Sequence, residues 1–217
     1  MKTKKQFGET VPGYTIPVLN EREIRASAGI LFLGVFIALM LIIFKGNFVP
    51  IKYIISSFLI DFIIRVFINP KYAPFLILGR LIVSNQTPEY VGAAQKKFAW
   101  IIGVILASIM FILMVVLNTY SPISGIICLI CLIFLFFESA FGICLGCLFY
   151  KWFYKEKAQY CPGEICDTKA KHDIQKTSWV QIIIILIFIA AIVLLGTLTN
   201  ENLSIEPKDL MTLLSQK

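Results

Sequence analysis

Residues 98–118 read FAWIIGVILASIMFILMVVLN, 21 positions without one charged side chain. A bilayer core about 30 Å thick needs roughly 20 apolar residues in a helix. Lipid offers no water to satisfy backbone N–H and C=O groups, so only helices and closed barrels span it. Barrel strands alternate polar and apolar residues at period 2, and this run does not. It reads as a membrane-spanning helix.

Four further runs pass the same test. They lie at 27–45 (SAGILFLGVFIALMLIIFK), 49–68 (VPIKYIISSFLIDFIIRVFI), 124–149 (SGIICLICLIFLFFESAFGICLGCLF) and 179–198 (WVQIIIILIFIAAIVLLGTL). The whole chain agrees with them. Of 217 residues, 58% are hydrophobic and 15% charged, against about 25% charged in a soluble domain. Mean hydropathy is +0.83. One soluble core of this size cannot hide so much apolar surface. The expected fold is all-α: a polytopic membrane helix bundle with a four-helix core at 27–150 and a fifth C-terminal span at 179–198. The run at 27–45 starts too far in, and lacks the small-residue cleavage site, for a signal peptide. The segment 73–84, APFLILGRLIVS, is interrupted by Arg80 and preceded by Pro70. It is too short for a span and predicts an interfacial or partly re-entrant helix. Residues 1–26 read as a cytoplasmic lead, the first 19 of them flexible. Residues 151–178 read as a cytoplasmic loop and 199–217 as an external tail.

The net charge of +7 is explained by topology. Fifteen of the 20 Lys and Arg residues fall in 1–26, 69–97 and 150–178, three segments that five spans place on one side. Cytoplasmic loops carry such an excess. The expectation is a bacterial inner-membrane protein with a cytoplasmic N-terminus and an external C-terminus. No basic domain is large enough to track a nucleic acid. The bilayer is the first expected partner.

All six cysteines lie in three pairs between residues 128 and 166. Cys128 and Cys131 share a face of the fourth span and read first as small apolar fillers. Cys144-Leu-Gly-Cys147 lies at its inner end, and Cys161-Pro-Gly-Glu-Ile-Cys166 follows in the loop. In a reducing compartment, clustered thiols bind metal or do redox work. Four thiolates suit zinc or an iron–sulfur cluster. Alternatively, Cys144 and Cys147 cycle between dithiol and disulfide, with Cys161 and Cys166 as a relay. A thioredoxin-like or sulfurtransferase partner would then be expected. His172, the lone histidine, reads as a solvated side chain or an extra ligand.

Three charges lie inside spans. Asp61 and Arg65 are four apart and can pair on one face. Glu138 sits near the middle of the fourth span, where an ionisable group is costly and marks a functional site or an ion pair, for instance with Arg65 or Arg80. Cys147 is nine residues past Glu138, about 180° around a regular helix. Either the helix breaks near Gly142, or the charge and the inner thiols form separate sites. Lys96 and Lys97 precede the third span and read as interface anchors, or as holders of an anionic substrate.

Residues 20–150 resemble an uncharacterised bacterial four-helix membrane family, a domain of unknown function. The resemblance rests on Asn20-Glu21-Arg22, Asp61-x3-Arg65, Pro70, Pro74, Gly92-Ala-Ala-Gln-Lys-Lys-Phe-Ala99, Gly103, Glu138, Cys144-x-Gly-Cys147 and Tyr150. It implies a compact four-helix core and no particular activity. The expected function is thiol-based redox or sulfur transfer at the cytoplasmic face. Metal handling by the same cysteines and a non-catalytic membrane subunit are the alternatives.

Overall fold

The structure is a computed structural model that describes residues 7–146, 177–209 and 215. Its elements run β1 (Val18–Asn20), α1 (Glu21–Lys45), α2 (Val49–Ile63), α3 (Pro74–Ile82), β2 (Tyr90–Gly92), α4 (Ala93–Phe111), β3 (Thr119–Tyr120), α5 (Pro122–Phe136), α6 (Trp179–Ser204) and β4 (Lys208–Asp209). The π-helical turns Ile64–Ile68, Ile112–Val116 and Phe137–Phe141 extend α2, α4 and α5. The architecture is an all-α helical bundle.

Four of these helices are long and apolar enough to cross a bilayer: Glu21–Lys45, Ala93–Val116, Pro122–Phe141 and Trp179–Thr199. They mark the chain as a multi-pass membrane protein. α2 with its π turn covers the same 49–68 length but carries Lys52, Asp61 and Arg65. At 1.5 Å per residue, α3 reaches only about 13 Å, less than half of a bilayer core.

Helices α1, α2, α4, α5 and α6 alternate in direction. At one end, called the near end here, Arg25 of α1 donates to the Ala140 carbonyl at 3.2 Å. Gln181, at the start of α6, donates to the Lys71 carbonyl at 3.0 Å. At the far end, the rings of Phe48 and Tyr120 stack at 5.4 Å. There the buried Lys52 donates to Asn118 Oδ1 and to the Ile205 carbonyl, each at 2.7 Å. β3 and β4 pair in parallel beside it, Thr119 with Lys208.

The interior is built from Leu31, Ile55, Phe58, Phe62, Trp100 and Met110, among others. The outward faces stay apolar and exposed, as at Ile183, Leu186 and Leu198 of α6. Lipid tails are as apolar as leucine, so expulsion of water does not drive these helices together. Close packing and polar pairs must do so. Gly79 of α3 supplies one such contact. A Cβ there would press into the Glu23 carbonyl oxygen and lie 3.1 Å from Ser27 N. Gly79→Ala is therefore expected to cost about 1–3 kcal/mol by overpacking. Thermal unfolding in detergent measures it, and an unchanged midpoint would contradict this contact.

Residues 7–18, a flexible lead by sequence, instead fold back on the near end. Glu9 and Val18 form a bridge, and β1 pairs antiparallel with β2, Leu19 opposite Val91. Val11, Val18 and Tyr90 form a small core with Tyr14 packed on it. The reason is non-local: these few apolar residues find a partner strand about 70 residues on, which composition alone does not reveal.

Candidate functional site

α1 begins at Glu21, six residues before the apolar run. Asn20 caps it, its side chain accepting from Arg22 N at 3.2 Å. Its amide also donates to Glu23 Oε1 at 3.1 Å. Carboxylates in a first turn complement the helix dipole, yet Glu21 and Glu23 are buried. Burial of a charge requires a partner, and each has one. Lys96 Nζ lies 2.8 Å from Glu21 Oε2, and Arg80 Nη2 lies 3.1 Å from Glu23 Oε2.

Lys96 also holds Glu138, so one buried ammonium sits between two carboxylates from α1 and the end of α5. Lys96 is 1% exposed. This placement corrects two expectations. Lys96 is not an exposed interface anchor, and Glu138 pairs with Lys96 rather than with Arg65 or Arg80. The adjacent Lys97 lies over the Phe7 ring, 4.9 Å from its centre.

The third cluster is Asp61 with Arg65. Arg65 Nε donates to Asp61 Oδ2 at 2.6 Å, and Nη2 donates to Ser27 Oγ at 2.9 Å. Asp61 Oδ1 accepts from Phe75 N at 2.8 Å. The guanidinium lies 4.6 Å from the Phe62 ring centre and 5.3 Å from that of Trp100. Both charges are buried, at 0% and 2% exposure. Tyr90, beneath the N-terminal strap, is a fourth polar group. Burial, with Tyr14, Glu9 and Glu23 beside it, pushes its phenol well above the ordinary range.

The α5 helix does not continue to residue 149. Its π turn ends at Gly142, which adopts φ +67°. Ile143 N donates back to the Phe137 carbonyl at 3.0 Å, closing the helix end as a left-handed cap does. A side chain at Gly142 would be strained, and its Cβ would lie 3.2 Å from the Arg25 guanidinium. π turns are rare and recur at functional sites.

The break has a consequence for Cys144. A cavity of about 70 Å³ opens between α1, α2, α4 and α5, and Arg65, Trp100, Cys131, Glu138 and Cys144 all line it. So the break near Gly142 brings Cys144 back to the cavity that Glu138 faces. Cys131 lines it from inside α5, while Cys128 is buried and lines a smaller cavity of about 30 Å³ with Cys131. Cys147, Cys161, Cys166 and His172 lie outside the described residues, as does Tyr150. Among the described residues, no group of three His, Cys, Asp or Glu side chains is arranged to hold a metal ion.

The sequence reading missed Glu21 and Glu23 as members of this network, and offered Arg80 as a partner of Glu138 where the structure pairs it with Glu23. The available signal was Asn20-x-x-Glu23, a capping pattern that starts the helix earlier and carries both carboxylates into the bundle.

A family model described as a domain of unknown function (DUF4395) matches residues 19–155. No curated protein and no solved structure matches the chain. The matched region contains every charged pair of the near end between Asn20 and Glu138, together with the break at Gly142.

Proposed function

The chain belongs to the DUF4395 family, a domain of unknown function, and from the near-end cavity we propose that it carries out thiol-based redox or sulfur-transfer chemistry in the membrane. One observation carries this reading. The break at Gly142 places Cys144 on the same cavity as Arg65 and Glu138. A sulfur nucleophile, a fixed cation and a carboxylate thus share one small space with apolar walls. The thiolate is the reactive form, and a cation close by favours it.

In this reading the Cys144 thiol gives its proton to the Glu138 carboxylate. The thiolate attacks the S–S bond of a disulfide or persulfide carried by a thioredoxin-like or sulfurtransferase partner. That bond breaks, a mixed disulfide or a Cys144 persulfide forms, and the partner's sulfur leaves as a thiolate that takes up a proton. With a disulfide partner, Cys147 then attacks the mixed disulfide. The chain's dithiol is oxidised by two electrons, and the partner's disulfide is reduced by the same two. Cys161 and Cys166 are the proposed relay. We infer from the excess of Lys and Arg in 1–26, 69–97 and 150–178 that the near end faces a bacterial cytoplasm, where partners of this kind act.

The test is a thiol count on full-length protein purified anaerobically in mild detergent, with bound metal measured on the same sample. The expected result is no stoichiometric metal, with Cys144 and Cys147 reversibly protected from alkylation after mild oxidation. Cys144→Ser should abolish that protection. About one zinc or one iron–sulfur cluster per chain, with four thiols protected, would replace this reading with the metal-binding one.

A further inference from the structure

We propose that the near-end cavity binds a soft, weakly hydrated sulfur monoanion of a few atoms, such as a hydropersulfide, held by Arg65. This rests on the reading above and adds a small sulfur donor beside the partner-borne disulfide or persulfide.

Arg65 is the first reason. Its Nε and Nη2 are engaged by Asp61 and Ser27. Among the described residues its Nη1 donates no hydrogen bond, while the side chain lines the cavity. Asp61 is held in turn by Phe75 N, and the rings of Phe62 and Trp100 flank the guanidinium. The donor is therefore fixed before any ligand arrives, which lowers the ordering cost of binding.

The walls are the second reason. Phe58, Phe62, Phe134 and Leu135 line the cavity. They return nothing to a strongly hydrated ion such as sulfate or phosphate for the water it loses. Polarizable sulfur makes favourable contacts with ring edges. A guanidinium is itself weakly hydrated and suits such a partner.

Size and charge are the third. One water needs about 10–15 Å³ of such volume, so about 70 Å³ admits a few atoms and no bulky metabolite. Asp61 already balances Arg65, and Lys96 is shared by Glu21 and Glu138, so the site has no surplus of positive charge and opposes a dianion more strongly than a monoanion.

Thiocyanate is the probe, being a soft sulfur monoanion. Trp100 lines the cavity, so its fluorescence reports on occupancy in a Trp152→Phe, Trp179→Phe background. Titrations run at constant ionic strength on full-length protein in nanodiscs. A saturable response is expected, with a dissociation constant on the order of 1 mM for a three-atom ligand and at least about tenfold weaker binding of sulfate. Arg65→Lys, which keeps the charge and loses the fork, should weaken thiocyanate about tenfold. Ala28→Leu, which narrows the cavity from α1, should do the same where Arg65→Lys does not fold. A linear response, or equal responses to thiocyanate and sulfate, would overturn the proposal. Cys144→Ser separates the two readings. Binding retained in that variant supports the anion site whatever the fate of the thiol chemistry. Thiol cycling in wild type without saturable anion binding would sink this proposal alone.

Discussion

Lys96→Met is expected to destabilise the protein by about 3–5 kcal/mol, a large share of the 5–15 kcal/mol that holds a typical domain together. The reason is what the substitution leaves behind. Glu21 is 0% exposed and faces Lys96 at 2.8 Å, and Glu138 shares the same ammonium. Without Lys96, two carboxylates confront each other in a medium that cannot hydrate them. Removing one partner of a buried pair costs far more than the pair itself contributes. The double variant Lys96→Met, Glu21→Gln should therefore recover most of the loss, because only the half-buried Glu138 remains charged. Chemical unfolding in detergent measures both, and their coupling should exceed about 1 kcal/mol. A single variant as stable as the parent would show that the triad is hydrated, and the buried network would have to be abandoned.

Asp61→Leu has a comparable expected cost, about 3–5 kcal/mol. It strands the Arg65 guanidinium, 2% exposed, and it leaves Phe75 N without its acceptor. The α2–α3 junction depends on that second bond, since Asp61 reaches 14 residues along the chain to the first turn of α3. Replacing both charges, as Asp61→Leu with Arg65→Met, should restore the fold to within about 1–3 kcal/mol of the parent, the remainder being the unpaired N–H. The same double variant should lose thiocyanate binding entirely. A folded double variant that still binds the anion would show that Arg65 is a structural ion and not the ligand's partner.

Much of the architecture was legible beforehand. The runs at 27–45, 98–118, 124–149 and 179–198 correspond to four helices long enough to cross a bilayer. Their boundaries moved for identifiable reasons. α1 starts earlier because Asn20 caps it and buried partners await Glu21 and Glu23. α5 stops earlier because Gly142 turns left-handed. Spacing alone left open whether Glu138 and Cys144 belong to one site, since a regular helix separates them and a broken one need not. Lys96 read as a boundary residue because charge beside an apolar run ordinarily faces water.

The sequence by itself determined the solvent and the helical class. These are local quantities: twenty apolar residues exclude water wherever they are placed, and backbone groups in lipid must then bond within their own helix. Only the tertiary structure decided which charges meet. Glu21 and Lys96 are 75 residues apart, Glu23 and Arg80 57, Lys96 and Glu138 42. No spacing rule spans such distances, because α1, α3, α4 and α5 are brought together by close packing at contacts such as Gly79. In a low-dielectric interior each buried charge must then take the nearest opposite charge that the packing presents.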